Sequence, residues 1–171
     1  MTMDATLEHR DGAWVLTLQR EFAHPVEVVW PWLTDPVRLA RWSPIVPNLP
    51  FDGAGARQVR EQPGDEPIDG EVISVDPPRE LIHRWGEDVV RWRLAPTTSG
   101  CLLTLEQTMQ QRDPAAMNAA GWDVCLTVLD EVLGGADTPR TTGPRRSKGA
   151  GRRCAPSTPK RSSASTEPRV S

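Results

Sequence analysis

One segment limits the folds open to this chain more than any other. Between Asp113-Pro114 and Gly134-Gly135 the apolar residues Ala119, Trp122, Leu126, Leu129 and Leu133 step by three and four positions, the period of a one-sided helix. Asp113 and Pro114 supply a cap and a first helical position, and the glycine pair supplies a stop. About 20 residues at about 1.5 Å each make a rod of roughly 30 Å. A rod of that length with a tryptophan in its apolar stripe must lie across an equally long apolar surface. The remainder of the sequence offers strands to build one.

Residues 14–22 alternate, with Trp14, Leu16, Leu18 and Phe22 on one face, and read as the first strand. At His24-Pro25-Val26-Glu27 the period changes. Val26, Val29, Trp30 and Leu33 take helical spacing with Pro25 at the start, and Pro31 predicts a kink near Glu27 or an early end. Thr34-Asp35-Pro36 then caps a second short helix through Val37, Leu39, Ala40 and Trp42. Pro44, Pro47 and Pro50 impose extended structure, with a short edge strand within 46–51. Residues 56–62 and 68–76 read as strands about the turn Pro63-Gly64-Asp65-Glu66, and Pro77-Pro78 marks the next turn. Strands at 79–85, 88–94 and 101–109, broken at Gly86-Glu87 and at 96–100, complete a meander. Val90, Trp92 and Leu94 share one face of it and Arg91 and Arg93 the other, the one-sided burial of an antiparallel sheet. No period of 20 to 50 residues recurs, which excludes solenoids and propellers.

These elements, in this order, carry a resemblance. Arg20-Glu21-Phe22-Ala23-His24-Pro25-Val26-Glu27-Val28-Val29-Trp30, Leu33-Thr34-Asp35-Pro36, Leu39-Ala40-Arg41-Trp42, Gly70-Glu71-Val72, Val75-Asp76-Pro77-Pro78-Arg79-Glu80-Leu81 and Ala120-Gly121-Trp122 resemble the START-like superfamily, also called SRPBCC or birch-pollen-allergen-like. Within it the chain is most similar to the bacterial branch related to the C-terminal domain of activators of the 90-kilodalton heat-shock protein ATPase. The resemblance implies an α+β helix-grip: a curved antiparallel sheet wrapped around the long C-terminal helix, two short helices after strand one, and a cavity between sheet and helix that often takes apolar ligands. It implies no reaction, because members include carriers, co-chaperone domains and cyclases.

Charge divides the chain. Residues 1–135 hold 11 Arg, no Lys and 21 Asp or Glu, a balance of −10, whereas 136–171 hold 9 Lys or Arg against Asp137 and Glu167, a balance of +7. All seven Trp and both Phe lie in the first segment. Residues 1–135 are therefore expected to form one START-like domain, and 136–171 a basic, low-complexity, disordered tail too poor in apolar residues to offset its ordering entropy. The acidic domain argues against nucleic acid as its own partner; the tail offers a weak route to one through counterion release, though no aromatics are interleaved with its charges.

Cys101, Cys125 and Cys154 show neither a paired framework nor His at ligand spacing, so no disulfide, metal or other cofactor is expected. The N-terminus carries no secretory pattern, and nothing approaches the roughly 18 apolar residues of a membrane helix. A cytoplasmic protein without membrane contact is expected. No phosphate loop, GxSxG elbow or HExxH motif is present, so no catalytic residue is assigned.

The candidate ligand-binding residues are those expected on the interior of the grip: Trp30, Trp42, His83, Trp85, Trp92, Trp122 and Leu126. They line a pocket for a flat or lipid-like ligand on one reading and are plain core packing on the other. His83, alternating with Leu81 and Trp85, is either a buried acid or base or a hydrogen-bonded structural histidine. Three functions remain open: a non-catalytic domain holding a small hydrophobic ligand or an apolar partner segment, a co-chaperone acting on a chaperone ATPase, and a polyketide cyclase-like enzyme. One feature of the gene is open to a direct check. Relatives commonly continue past a segment like Pro139 to Pro144 with an acidic, aromatic stretch, whereas here Arg145-Arg146-Ser147 opens low-complexity sequence, as a shifted frame in GC-rich DNA would produce. Translating the other two frames beyond codon 144 is expected to yield an aromatic, helix-forming continuation in one of them; its absence from both removes the idea.

Overall fold

The strand marked by alternation at 14–22 is β2 (Ala13–Phe22), and it is the second strand of the chain rather than the first. A computed structural model describes residues 4–141; positions 142–171 of the expected tail lie outside the described residues. Ahead of β2 runs β1 (Asp4–Arg10), paired antiparallel from Asp4↔Gln19 to Arg10↔Ala13. Its residues are exposed except Leu7, which is half-buried, so it carries no hydrophobic alternation. The turn makes it a strand: Asp11 and Gly12 take φ values of 53° and 80°, the left-handed pair of a two-residue hairpin whose twist matches its strands.

After β2 come α1 (Val26–Thr34) and α2 (Pro36–Leu39). Pro25 flanks α1, and the helix continues through Pro31 to Thr34 instead of stopping early. Pro31 removes the donor that would serve Glu27 O one turn back, while the orphan carbonyls at the C-terminal end of the helix find partners of their own: Trp30 O accepts from Thr34 Oγ1 at 3.4 Å, and Trp32 O accepts from Trp42 Nε1 at 2.9 Å. Asp35 caps α2 as expected, accepting from Val37 N at 3.1 Å, yet Val37 itself is 75% exposed rather than part of the apolar stripe.

Next come β3 (Val46–Pro47), β4 (Gln58–Arg60), β5 (Ile68–Asp69) and β6 (Val72–Asp76). The single strand expected at 68–76 is two, turning at Gly70-Glu71. A Cβ on Gly70 would stand 2.4 Å from Val59 Cγ1, so only glycine lets the chain pass over β4 and change sheets. β5 completes a three-stranded sheet ordered β3-β4-β5, and β6 enters the main sheet. The meander is β7 (Glu80–Trp85), β8 (Asp88–Thr97) and β9 (Gly100–Met109); β8 runs past Pro96 to Thr97, longer than the break at 96–100 predicted. The main sheet is ordered β1-β2-β9-β8-β7-β6, all antiparallel.

Against it lies α3 (Ala115–Leu133), which has no side-chain cap from Asp113 and stops at Gly134. Its buried face, including Trp122, Cys125, Leu126 and Leu129, is broader than the expected stripe. The architecture is thus the α+β helix-grip. Arg20 on the inner face of β2 pins the helix from beneath, donating to Thr127 Oγ1 and Asp130 Oδ2 at 3.3 Å each while itself buried. On the outer face Arg84, Arg91 and Arg93 pair with Glu71, Glu80 and Glu106, contacts of small energetic worth.

Where β9 begins, a Cβ on Gly100 would lie 2.0 Å from Phe22 O and 2.7 Å from His24 N. Gly100→Ala must therefore open the β2–β9 junction, and a loss of about 2 kcal/mol or more is expected on denaturant unfolding.

Candidate functional site

Six of the seven candidate residues meet in the interior. Trp42, His83, Trp85, Trp92, Trp122 and Leu126 are each at most 4% exposed, while Trp30 stays half-buried at the edge of the core. Alternation places His83 and Trp85 on the inner face of β7 and Trp92 on that of β8; the helical period turns Trp122 and Leu126 of α3 toward them. Trp122 packs edge-on against Trp85 and Trp92 at 5.5 and 5.4 Å between ring centres, and Trp92 meets Trp42 in the same way at 5.9 Å. Such T-shaped contacts set the positive edge of one ring on the negative face of another.

A buried indole also carries an N–H that must be satisfied. Trp92 Nε1 donates to His83 Nε2 at 3.0 Å, and Trp122 Nε1 donates to Gln107 Oε1 at 2.9 Å. Gln107 is itself oriented by donating from Nε2 to Asp88 Oδ2 at 2.7 Å. Asp88 and Gln107 escaped the sequence reading, although each is a polar residue at an inward position of its strand, Asp88 in phase with Val90 and Trp92, and Gln107 with Leu105 and Met109. That phase was the available signal.

The surroundings of His83 decide its character. Because Nε2 accepts from an indole, the proton sits on Nδ1, which donates to Arg84 O at 2.9 Å. Phe51 stacks on the ring at 4.5 Å. Both nitrogens are committed inside the fold, so the imidazole is a neutral crosslink rather than a proton carrier, and burial pulls its pKa down to about 4. Burial also pushes the Cys101 thiol up to about 11, away from the thiolate form.

One open space lies apart from these rings. A pocket of about 520 Å³ is bounded by α2, β3, β4 and the segment following α3. Ala40, Val46, Pro47 and Pro63 give it an apolar lining, and Arg60 and Arg140 stand at its border. Arg140 is fixed by donating from Nε to Ser43 O at 2.9 Å and from Nη2 to Glu61 O. No local motif marks this site; it arises from four stretches brought together by folding. Among the described residues no cluster of three or more His, Cys, Asp or Glu forms a metal site, and no helix is long and apolar enough to cross a membrane.

With this geometry in view, comparisons place the chain among known proteins. The family model described as Activator of Hsp90 ATPase homolog 1-like protein matches residues 23–134. The crystal structure of CalU16 from Micromonospora echinospora is similar at 24% identity, covering 78% of this chain and 87% of that one with a TM-score of 0.62. Protein NE0264 from Nitrosomonas europaea is 26% identical over 71% of this chain and 94% of its own, with a TM-score of 0.57. DynU16, from the dynemicin biosynthetic locus, is 27% identical over 70% of this chain and 47% of its own, with a TM-score of 0.63. No curated protein gives a match.

The imidazole yields a pH prediction. Its folded pKa lies below the unfolded value of 6.5, so below that value the unfolded chain binds the extra proton and stability falls as pH drops from about 6.5 to about 4. About 3 kcal/mol should be lost from this group over that window. Denaturant unfolding of the wild type across this range, with His83→Gln as the comparison, checks it: the substitution should flatten this part of the profile.

Proposed function

The chain belongs to the family described as Activator of Hsp90 ATPase homolog 1-like protein, and on that premise we propose that it is a non-catalytic binding domain for a small hydrophobic molecule with a polar end. The observation that carries the reading is the pocket of about 520 Å³ beside α2, a volume within the roughly 300–1,000 Å³ usual for small-molecule sites. Its apolar lining favours burial of a hydrocarbon or aromatic body at about 25 cal/mol per Å², less the cost of immobilisation. Arg60 and Arg140 at the border orient a carbonyl, phenolate or carboxylate.

The tryptophan cluster acts in this reading as the rigid wall behind the site. Trp42 follows the pocket residue Ala40 by two positions and carries the contact on to Trp92 and Trp122. Trp30, the half-buried member, does not line this pocket. His83 contributes shape and not chemistry, since both its nitrogens are engaged. Aromatic polyketides, which match the apolar lining and the arginines, serve as the first probes, with medium-chain fatty acids as the lipid-like alternative. The family's description also supports a second reading, stimulation of a chaperone ATPase through a surface contact; an ATPase assay with the 90-kilodalton chaperone of the same cell tests it directly, and absence of both stimulation and complex removes it.

Solvent extraction and mass spectrometry of the purified protein, followed by tryptophan-fluorescence titration with both probe classes, test binding. Ala40→Phe, which fills the pocket, should weaken any bound probe at least about tenfold while leaving the melting temperature within a few degrees. A probe whose affinity is untouched by that substitution would relocate the site.

A further inference from the structure

The two edges of the main sheet are finished differently. β6 is short, shifts register between Val72 and Ser74, is bridged by Gly55 and runs into Pro77, devices that discourage pairing. β1 has none of these: seven regular residues without proline, glycine or bulge, and no neighbouring strand on its outer side among the described residues.

The register of the hairpin says which groups that outer edge presents. A two-residue turn makes Arg10↔Ala13 a hydrogen-bonded pair, so Arg10, Glu8, Thr6 and Asp4 direct their N–H and C=O toward β2. Ala5, Leu7 and His9 therefore direct theirs outward. The side chains divide independently of this: Ala5, Leu7 and His9, opposite Leu18, Leu16 and Trp14, lie on the inner face, and Asp4, Thr6, Glu8 and Arg10 on the outer one. His9 rests on Trp14 at 4.6 Å, in keeping with that assignment.

From this geometry we propose that β1 pairs antiparallel with β1 of a second copy about a twofold axis through Leu7. That register engages all seven residues, and in it the outward groups of Ala5, Leu7 and His9 meet those of the partner's His9, Leu7 and Ala5. On the outer face it sets Asp4 opposite the partner's Arg10 and Arg10 opposite the partner's Asp4, two opposite-charge pairs from one symmetric contact. Charges that merely guard an edge repel a second copy at the strand ends; these attract it. On the inner face Leu7 meets its own counterpart and lengthens the apolar wall of a groove of about 320 Å³ that Ala5, Leu7 and Leu16 form with Ala115 and Ala119 of α3. A single strand pair buries less than the roughly 1,600 Å² of a standard interface, so the dimer is concentration-dependent, in the micromolar range.

Sedimentation velocity on the full chain, from low to high micromolar concentration at low salt, is the test. A monomer–dimer equilibrium is expected. Ala5→Pro removes an outward N–H that the β1–β2 ladder does not use, so it should abolish the dimer with an unchanged circular dichroism spectrum. Arg10→Asp places like charges opposite one another twice and should weaken association at least about tenfold; Asp4→Arg combined with Arg10→Asp restores opposite pairs and should recover it. A wild type that stays monomeric throughout, a folded Ala5→Pro that still dimerises, or a double exchange that fails to recover would overturn the proposal.

Discussion

Trp122 holds this molecule together. Its indole sits where helix, sheet and hydrogen-bond network intersect: the ring lies edge-on to two tryptophans of neighbouring strands, and its N–H reaches through Gln107 to Asp88. A core with two Phe and no Tyr gets most of its aromatic bulk from Trp, and each buried indole imports a donor that must be matched. The fold answers with a partner of a different kind each time: a backbone carbonyl for Trp42, an imidazole for Trp92 and an amide for Trp122. His83 and Gln107, with Asp88 behind it, are consequences of that choice of aromatics.

This explains what was legible in the sequence and what was not. Strong one-sided periodicity announced β2, β7, β8, β9 and α3, because in those elements one face is buried along most of its length. β1 was invisible to hydrophobicity since nearly all of it is exposed, although Asp11-Gly12 was a strong hairpin signal in plain view. The split between β5 and β6 depends on the approach of Gly70 to Val59, a contact between segments that no local pattern encodes. Pro31 misled in the other direction: it costs the single donor that would serve Glu27 O, and α1 runs on through it to Thr34 all the same.

The candidate site shows the same division. Inward phase named His83, Trp85 and Trp92, but whether a group placed inward faces space or another side chain depends on volume, which sequence does not carry. The pocket beside α2 draws on residues from positions 40, 46–48, 58–63 and 140, so only the folded chain assembles it. Arg140 lies beyond the helix, in a stretch whose composition gives no hint that it would return to grasp two carbonyls of the domain.

The order of strands has a consequence for how the molecule comes into being. β2 finds its second partner in β9, so that Trp14 lies opposite Met109 with nearly the whole domain threaded between them. Every contact between β2 and β9 is thus long in sequence and must overcome a large loop entropy. On a ribosome the first hairpin waits, one side of it apolar and uncovered, until β9 and then α3 have left the exit tunnel. Through that interval the uncovered apolar side of the hairpin is open to association with other chains, and the safety of the fold rests on how soon β9 and α3 arrive to cover it.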